Sequence, residues 1–263
     1  MKRKRRLHFA FLLCILTILG LYIALGFLNP LTTTHYDYIS AKLPASFDGY
    51  KIVLISDLHG ASFGDKQIDL ITKIQSCKPD LIVFTGDTMD SSHPMNPLVD
   101  LLDGIKYMAP IYAITGNHDN YNKSLRELYE VYGIPLLHSG MKIPISTATD
   151  TIYLYGAAFY ECIQTSDLDT SAFNILLHHS SEAFAYTKVL GFDLILSGHC
   201  HGGIIRLPLI GGLIGNSGIL PDYDYGVYTY GTTTMIASAG LGDAKVPRFH
   251  NPPEIVLITL RSK

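Results

Sequence analysis

The sequence predicts an α/β layered domain that follows a single membrane-spanning helix at the N-terminus. Short apolar runs rich in Ile, Val and Leu recur along the chain, as is typical of strands buried on both faces. Stretches with a helical period lie between the earlier runs, and a long apolar segment precedes them all. The 263 residues are 48% apolar and 16% charged, which excludes a disordered protein and allows a substantial core.

The N-terminal segment combines a basic block with an apolar run. Residues 2–6 are all Lys or Arg, and residues 7–28 contain only His8 and Thr17 as polar residues. A helix of this length spans about 33 Å, close to the thickness of a bilayer's hydrocarbon core. Because basic flanks stay in the cytoplasm, we predict a single-pass anchor in the cell membrane with an extracytoplasmic body.

Two alternatives to an uncleaved anchor concern protein export. A cleaved signal peptide needs a small-x-small site, which residues 26–30 do not offer. Arg5-Arg6 suggests a twin-arginine signal, but the residues after the pair match one poorly. We therefore divide the chain into a cytoplasmic tail (1–6), a transmembrane helix (7–28), a linker with a lead-in strand (29–49) and a folded domain (50–263).

The charge balance of the chain indicates which kinds of partner it can bind. The chain has 20 Lys and Arg against 23 Asp and Glu, a net charge of −3. Without the five basic residues of the tail, the remainder has a net charge of −8. Sequence-independent binding of nucleic acid requires a basic face, so no long nucleic acid is expected as a partner.

Strands are predicted at six apolar runs, followed by β-type runs and a final strand in the last third. One helix with an apolar face is predicted over residues 67–77, and a second over residues 123–132. The strand runs are residues 52–55, 81–84, 111–114, 152–155, 174–177 and 193–196, then 227–230, 234–237 and 254–260.

Polar side chains follow five of these runs, at the point where each predicted strand ends. The carboxyl ends of strands in an α/β sheet meet at one crevice, so we expect these side chains to converge. Aspartate, asparagine and histidine side chains are oxygen and imidazole donors for metals. So many donors exceed the needs of one ion and suit two bridged ions. The segments are 56–60, 85–87, 115–119, 178–179 and 197–203.

The ordered set resembles the calcineurin-like metallophosphoesterase superfamily. Its five motifs match Asp57-x-His59, Gly86-Asp87, Gly116-Asn117-His118-Asp119, a mid-chain His and Gly198-His199-x-His201. The N-terminal helix and Pro252-Pro253-Glu254-Ile255 are similar to a bacterial membrane-anchored phosphodiesterase branch. The resemblance covers residues 50–260 and implies a two-sheet β-sandwich flanked by helices, with two divalent metal ions at one edge.

The resemblance also implies the ligands. Asp57, His59 and His201 would hold one ion, while Asn117, His199 and the mid-chain His would hold the other, with Asp87 bridging both. The mid-chain His is His178 or His179. The family's apolar-apolar-apolar-x-His pattern favours His179, although Ser180-Ser181 replaces the proline expected after the ligand. The mixed donor set suits Mn, Zn or Fe.

The catalytic roles rest on the same resemblance. His118 would contact the phosphate and protonate the leaving oxygen, and Asp119 could orient its ring. A metal-bound hydroxide would be the nucleophile. Arg206, close after the last motif, is a candidate substrate contact. The expected substrate is a phosphodiester or pyrophosphate of a lipid-linked or envelope molecule. The alternatives are a small-nucleotide phosphodiesterase or nuclease, and a non-catalytic scaffold.

Overall fold

The computed structural model describes residues 2–89, 94–119, 122–215, 218–242 and 246–263. The helices in these ranges are α1 (Lys2–Gly26), α2 (Ile68–Cys77), α3 (Asn96–Ile105), α4 (Lys123–Val131) and the short α5 (Phe184–Thr187). The strands are β1 (Thr32–Ser40), β2 (Lys51–Ile55), β3 (Leu81–Phe84), β4 (Ile111–Ala113), β5 (Lys142–Ser146), β6 (Thr151–Ala157), β7 (Asn174–Ser180), β8 (Leu194–Gly198), β9 (Ile205–Leu207), β10 (Gly211–Gly215), β11 (Gly218–Ile219), β12 (Gly226–Tyr230), β13 (Thr233–Ala237) and β14 (Glu254–Ser262).

Helix α1 contains the predicted apolar segment. Within it, Lys4–Gly26 has a mean hydropathy of 2.5 and is long enough to cross a membrane. Only 6% of its apolar window is buried, which distinguishes it from the core helix of a soluble protein.

The first sheet has five strands in the order β1-β14-β2-β3-β4. Strands β2, β3 and β4 are parallel, whereas β14 is antiparallel to β2. In β2, Ile52 and Leu54 face one hydrophobic cluster while Val53 and Ile55 face another. Both faces of the strand are therefore buried, which explains its uninterrupted apolar run.

The second sheet has six strands in the order β12-β13-β8-β7-β6-β5. Its inner face packs against the first sheet, and side chains from both form the core between them. Helices α2, α3 and α4 cover the outer face of the first sheet through apolar residues such as Leu70, Leu101 and Leu125. The expected α/β class with two packed sheets is confirmed, and α3 is a helix that the sequence analysis did not predict.

The strand register aligns the ends from which the polar motifs emerge. Ile55 of β2 pairs with Phe84 of β3, and Phe84 pairs with Ala113 of β4. The three loops that follow these strands therefore begin side by side. In the second sheet, the pairing of β7 with β8 shifts by one residue between Leu177 and Ser180. This irregularity coincides with the two adjacent histidines of the mid-chain motif.

Candidate metal centre

One buried group of donors contains Asp57, His59 and His201. Their donor atoms lie within 4.8 Å of one another. Oδ1 of Asp57 is 4.0 Å from Nε2 of His59 and 3.7 Å from Nε2 of His201. The other carboxylate oxygen of Asp57 accepts hydrogen bonds from the Ser56 hydroxyl and the His199 amide, at 2.5 and 3.0 Å. Asp57 is thus fixed through Oδ2, while Oδ1 faces these two imidazoles and also lies 3.9 Å from Nε2 of His179.

A second buried group contains Asp87, His179 and His199, again with donor atoms within 4.8 Å. Nδ1 of His179 lies 2.7 Å from the carbonyl oxygen of Thr85. That oxygen can only accept, so Nδ1 donates the hydrogen bond and Nε2 is directed at Oδ2 of Asp87, 3.1 Å away. A backbone carbonyl that orients an imidazole in this way is common at metal ligands.

Asp87 lies between the two groups. Its Oδ2 is 3.1 Å from Nε2 of His179 and 3.7 Å from Nε2 of His59, which belong to different groups. Its Oδ1 accepts a hydrogen bond of 2.8 Å from the amide of His118. One carboxylate is therefore shared by both clusters of imidazoles.

Several buried oxygens at this edge have no hydrogen-bond partner among the described residues. Among them are Oδ1 of Asp57 and Oδ1 of Asn117. Buried polar atoms are nearly always paired, so an unsatisfied carboxylate oxygen and an unsatisfied amide oxygen need another partner. Oxygen donors of these two kinds, with the surrounding imidazoles, form a donor set that fits divalent cations.

The backbone at the candidate ligands adopts an uncommon conformation. Asp57, His59, Asp87, His199 and His201 all have positive φ, between 46° and 74°. The left-handed region costs residues other than glycine roughly 1 kcal/mol or more each, and such strain concentrates at functional sites. Packing of the surrounding sheets holds these five residues in place against that cost.

Glycine is required where the loops touch. Gly86 has a φ of 99°, and a Cβ built on it would lie 2.5 Å from the Gly116 nitrogen and 2.8 Å from Nδ1 of His179. No side chain fits there without moving the backbone. Gly86 therefore allows the loop of Asp87 to approach that of Asn117.

The structure separates the adjacent histidines of β7. His179 points toward the first sheet, where its Nδ1 lies 2.7 Å from the Thr85 carbonyl oxygen, whereas Nδ1 of His178 lies 3.1 Å from the Ser180 carbonyl oxygen. The His178 ring packs edge-on against Tyr186, with centroids 6.5 Å apart. Only His179 joins the second group of donors.

His118 and Asp119 lie in one loop but point to different surroundings. The His118 side chain is exposed and its ring lies edge-on to that of His59, with centroids 5.1 Å apart. Asp119 is fully buried, and its oxygens accept hydrogen bonds from Thr88 and from the Gly116 amide. Burial, reinforced by the charge of Asp87, raises the pKa of Asp119 to about 6.

These contacts differ from the expected role of Asp119 as the residue that orients His118. In the described part of the chain, no hydrogen bond joins the Asp119 carboxylate to the His118 ring. The carboxylate instead braces the loops that contain Asp87 and Asn117.

Two residues that the sequence analysis did not single out support His201. Nη2 of Arg248 lies 3.4 Å from Nδ1 of His201 and donates to the carbonyls of Ala239 and Gly242, each at 2.7 Å. Nδ2 of Asn251 donates to the His201 carbonyl at 2.6 Å. A lone Arg or Asn far along the chain carries no motif, so no local signal identified them.

Arg206 forms an ion pair of 2.6 Å with Asp224 and stacks over the ring of Tyr225. It also donates a hydrogen bond to the carbonyl of Gly202, directly after His201. The guanidinium is therefore engaged in holding the segment that follows the candidate ligands. Its predicted contact with substrate stays a prediction.

The buried charges affect one another's pKa values. Burial would raise the pKa of Asp57, but the surrounding histidines hold it below its usual range. Burial disfavours a charged His179, yet the carboxylates of Asp87 and Asp57 outweigh that effect and raise its pKa to about 9. Burial lowers the pKa values of His199 and His201 to about 4. These two rings are therefore neutral at pH 7, the form that binds metals.

Comparison with known proteins identifies the family. Residues 50–203 match the family model described as calcineurin-like phosphoesterase. The chain is 34% identical over 268 residues to the uncharacterized metallophosphoesterase YkuE of Bacillus subtilis, covering 94% of this chain and 92% of YkuE. It is 28% identical to the phosphodiesterase YaeI of Escherichia coli, covering 80% and 82%. It is 27% identical to a transmembrane protein with metallophosphoesterase domain from Danio rerio, covering 95% and 62%.

The family model covers more than half of the chain and includes all the polar motifs at the strand ends. The fold, the two buried groups of metal donors and these matches agree with one another. The chain therefore belongs to the calcineurin-like phosphoesterase family and is a phosphoric ester hydrolase.

Proposed function

We propose that the protein is a membrane-anchored phosphodiesterase or pyrophosphatase that depends on two divalent metal ions. Its substrate would be a lipid-linked or envelope phosphoester outside the cytoplasm. The observation that carries the proposal is the position of Asp87, whose Oδ2 lies 3.1 Å from His179 and 3.7 Å from His59. A carboxylate shared by two imidazole clusters suits a pair of bridged cations.

The ligand assignment follows the two groups. Asp57, His59 and His201 would hold one ion, and Asn117, His179 and His199 the other, with Asp87 in contact with both. The unsatisfied oxygens of Asp57 and Asn117 support this assignment. Bound divalent ions would supply an activated water and neutralise charge on the phosphate. Mn, Zn and Fe all suit the donor set.

His118 is the proposed general acid. Its exposed ring lies at the mouth of the donor cluster, beside the ring of His59. The hydrogen bond from its amide to Asp87 fixes the backbone at this point. From this position the imidazolium would donate a proton to the leaving oxygen as the phosphoester bond breaks. The bonds of Asp119 to Thr88 and Gly116 would keep the loop in the required conformation.

A cavity next to the centre supports an apolar substrate. It has a volume of about 480 Å³ and lies between the end of α1 and the loop after His59. Phe27, Phe63 and Leu241 supply apolar surface, and Arg248, which supports His201, forms part of the wall. A phosphoester with an acyl chain could place its apolar part there while its phosphate reaches the donor cluster.

The decisive experiment compares the wild type with His118→Ala in lipid nanodiscs. Both proteins are incubated with manganese or zinc and with an envelope lipid and metabolite extract, and the products are identified by mass spectrometry. A lipid phosphoester consumed only by the wild type supports the proposal. Turnover of small nucleotides alone, with no lipid consumed, would refute the proposed substrate class and favour a nucleotide phosphodiesterase. DNA cleavage would favour a nuclease.

The anchor is tested separately by fractionation and protease protection of cells producing the full chain. An intact protein in the membrane fraction, with the body degraded by protease added outside, is expected. A soluble product beginning near residue 30 would show that the helix is cleaved as a signal peptide.

A further inference from the structure

Strands β9, β10 and β11 form a small separate sheet that exposes aliphatic side chains. Of the described leucines and isoleucines after residue 28, only seven are substantially exposed, and five of them lie here. Leu209 is fully exposed and Ile219 is 83% exposed. We name this feature the apolar hairpin surface; its residues are Leu209, Ile210, Ile214, Ile219 and Leu220.

The chemistry of this surface is unusual for a protein face in water. Residues 207–221 contain no charged side chain. Exposed sheet edges in water are normally protected by charges or prolines, and here Pro208 and Pro221 flank β10 and β11 but no charge lies between them. Exposed apolar patches mark interaction sites. Leu209 and Leu220 also have positive φ, 68° and 55°, a conformation unfavourable for leucine. The fold holds these two leucines outward at a cost in backbone energy.

The position of the surface identifies its partner. Phe249 connects the small sheet to the end of α1. Its amide donates to the Ile204 carbonyl at 3.1 Å, and its carbonyl accepts from the Arg206 amide at 2.9 Å. On its other side, the Phe249 ring packs edge-on against Tyr22 and Phe27, with centroids 5.9 and 5.1 Å away.

The backbone makes the same connection. The amide of His250 donates to the Gly26 carbonyl at 2.7 Å, so segment 249–250 lies between the helix end and the sheet. Ile204 bridges to Ile214, and Ile214 pairs with Ile219. Three strand spacings, about 15 Å, therefore separate Phe249 from Ile219. This places Ile219 of the apolar hairpin surface within about 15 Å of the residue that packs against the end of α1.

We propose that the apolar hairpin surface inserts into the headgroup region of the phospholipid bilayer next to α1. The inference rests on the proposed membrane insertion of that helix. Burial of these side chains removes apolar surface from water, as in interfacial membrane segments. Because the small sheet follows His201 within a few residues, a second membrane contact would fix the donor cluster close to the lipid surface and limit its orientation.

The absence of tryptophan from the sequence permits a direct test. Single variants Ile219→Trp and Ile210→Trp of the full chain are reconstituted in phosphatidylcholine and phosphatidylglycerol vesicles with brominated lipids. Leu16→Trp reports insertion of α1. Val131→Trp, 82% exposed at the end of α4, is the matched control at an exposed aliphatic position outside α1 and the small sheet. Hydrolysis of bis(p-nitrophenyl) phosphate verifies that each variant is folded.

Bromine atoms near the headgroup end of the acyl chains are expected to quench roughly half of the Ile219→Trp emission, because interfacial side chains are buried about 5–10 Å into the boundary between headgroups and acyl chains. Ile210→Trp should behave alike, and Val131→Trp should not be quenched. If Leu16→Trp is quenched while both hairpin variants show no more quenching than Val131→Trp, the inference fails and the proposed insertion of α1 is supported. A surface that is covered by another copy of the protein would give this result. If the two hairpin variants are quenched and Leu16→Trp is not, the contact of the surface with lipid is supported and the proposed membrane insertion of α1 is refuted. With no quenching at any position, both fail.

Discussion

Oδ2 of Asp87 lies 3.1 Å from Nε2 of His179, and the same oxygen is 3.7 Å from Nε2 of His59. His179 lies in β7 of the second sheet and His59 in the loop after β2 of the first, and they belong to different donor groups. The Asp87 carboxylate thus lies between the two groups and approaches both of these histidines more closely than Asp57 does, whose Oδ1 is 3.9 Å from His179 and 4.0 Å from His59. Loss of Asp87 should therefore affect both ions, whereas loss of a ligand that belongs to only one group should affect one ion.

We expect Asp87→Ala to abolish binding of both ions, because the substitution removes the carboxylate that lies nearest to both groups of donors. Metal content measured by mass spectrometry should fall from two ions per chain to nearly none. Activity should fall by more than about 100-fold, which exceeds the loss typical of a residue that only supports a metal ligand. Asp103→Ala, on the exposed face of α3, is the control and should retain both ions. A fully loaded Asp87→Ala protein would contradict the bridging role.

The adjacent histidines of β7 provide a matched pair. His179→Gln should lose the ion of the second group, because His179 points at Asp87. His178→Gln should keep both ions, because its ring faces Ser180 and Tyr186. Metal content and the thermal shift on adding manganese measure the difference. The assignment of the mid-chain ligand would be reversed if His178→Gln lost metal and His179→Gln did not.

Metal affinity should rise with pH between 6 and 8. The carboxylates of Asp87 and Asp57 raise the pKa of His179 to about 9 against the effect of burial, so the metal-free protein holds a proton there. A metal ion must displace it, and affinity should increase about tenfold per pH unit for each proton displaced. Calorimetry in two buffers of different ionisation enthalpy measures the released proton. An affinity that is constant over this range would disprove proton displacement.

The raised pKa of His179 should also affect the stability of the metal-free protein. A histidine whose pKa is raised on folding stabilises the protein fully below its ordinary pKa, about 6.5. This stabilisation is lost as pH rises through about 9. Urea denaturation of the metal-free protein should therefore show lower stability at pH 9.5 than at pH 6.5, and less of this decrease in His179→Gln.

His118→Ala should slow turnover by roughly 10²–10⁴-fold for substrates whose leaving group needs a proton. The defect should be much smaller for bis(p-nitrophenyl) phosphate, because nitrophenolate is a stable anion that leaves unaided. Metal content should not change, since the His118 ring belongs to neither donor group. Equal defects on alkyl and nitrophenyl esters would argue for a role in binding instead of proton donation.

Arg248→Met should weaken binding at the first group by about 10- to 100-fold, the range for residues that support a ligand. The guanidinium lies 3.4 Å from His201 and ties together the loop at Ala239 and Gly242. Arg261→Met removes an exposed arginine that pairs with Asp37, and it should leave metal affinity unchanged. Unchanged manganese affinity in Arg248→Met would remove Arg248 from the support of the centre.

The strand pattern shows which elements of the fold can be predicted from local sequence. The runs that became β2, β3, β7 and β8 are apolar at successive positions because both faces of each strand are buried, so their location was visible without the structure. Helix α3 was missed although its buried leucines lie at helical spacing. Strands β9 to β11 have no alternating pattern, because their aliphatic side chains are exposed on a small sheet.

At the candidate metal centre, too, some features can be predicted from the sequence and others depend on the tertiary structure. Loops after buried strands contain the donors, so the sequence alone identified Asp57, His59, Asp87, His199 and His201 as residues that could meet. It also determined the apolar helix, through the length and composition of residues 7–28. Tertiary structure decided which of His178 and His179 faces Asp87, because a single-residue register shift in β7 accompanies that choice. It also brought Arg248 to His201 across 47 residues and directed Asp119 toward Thr88, because such contacts depend on how the sheets pack and not on any local pattern.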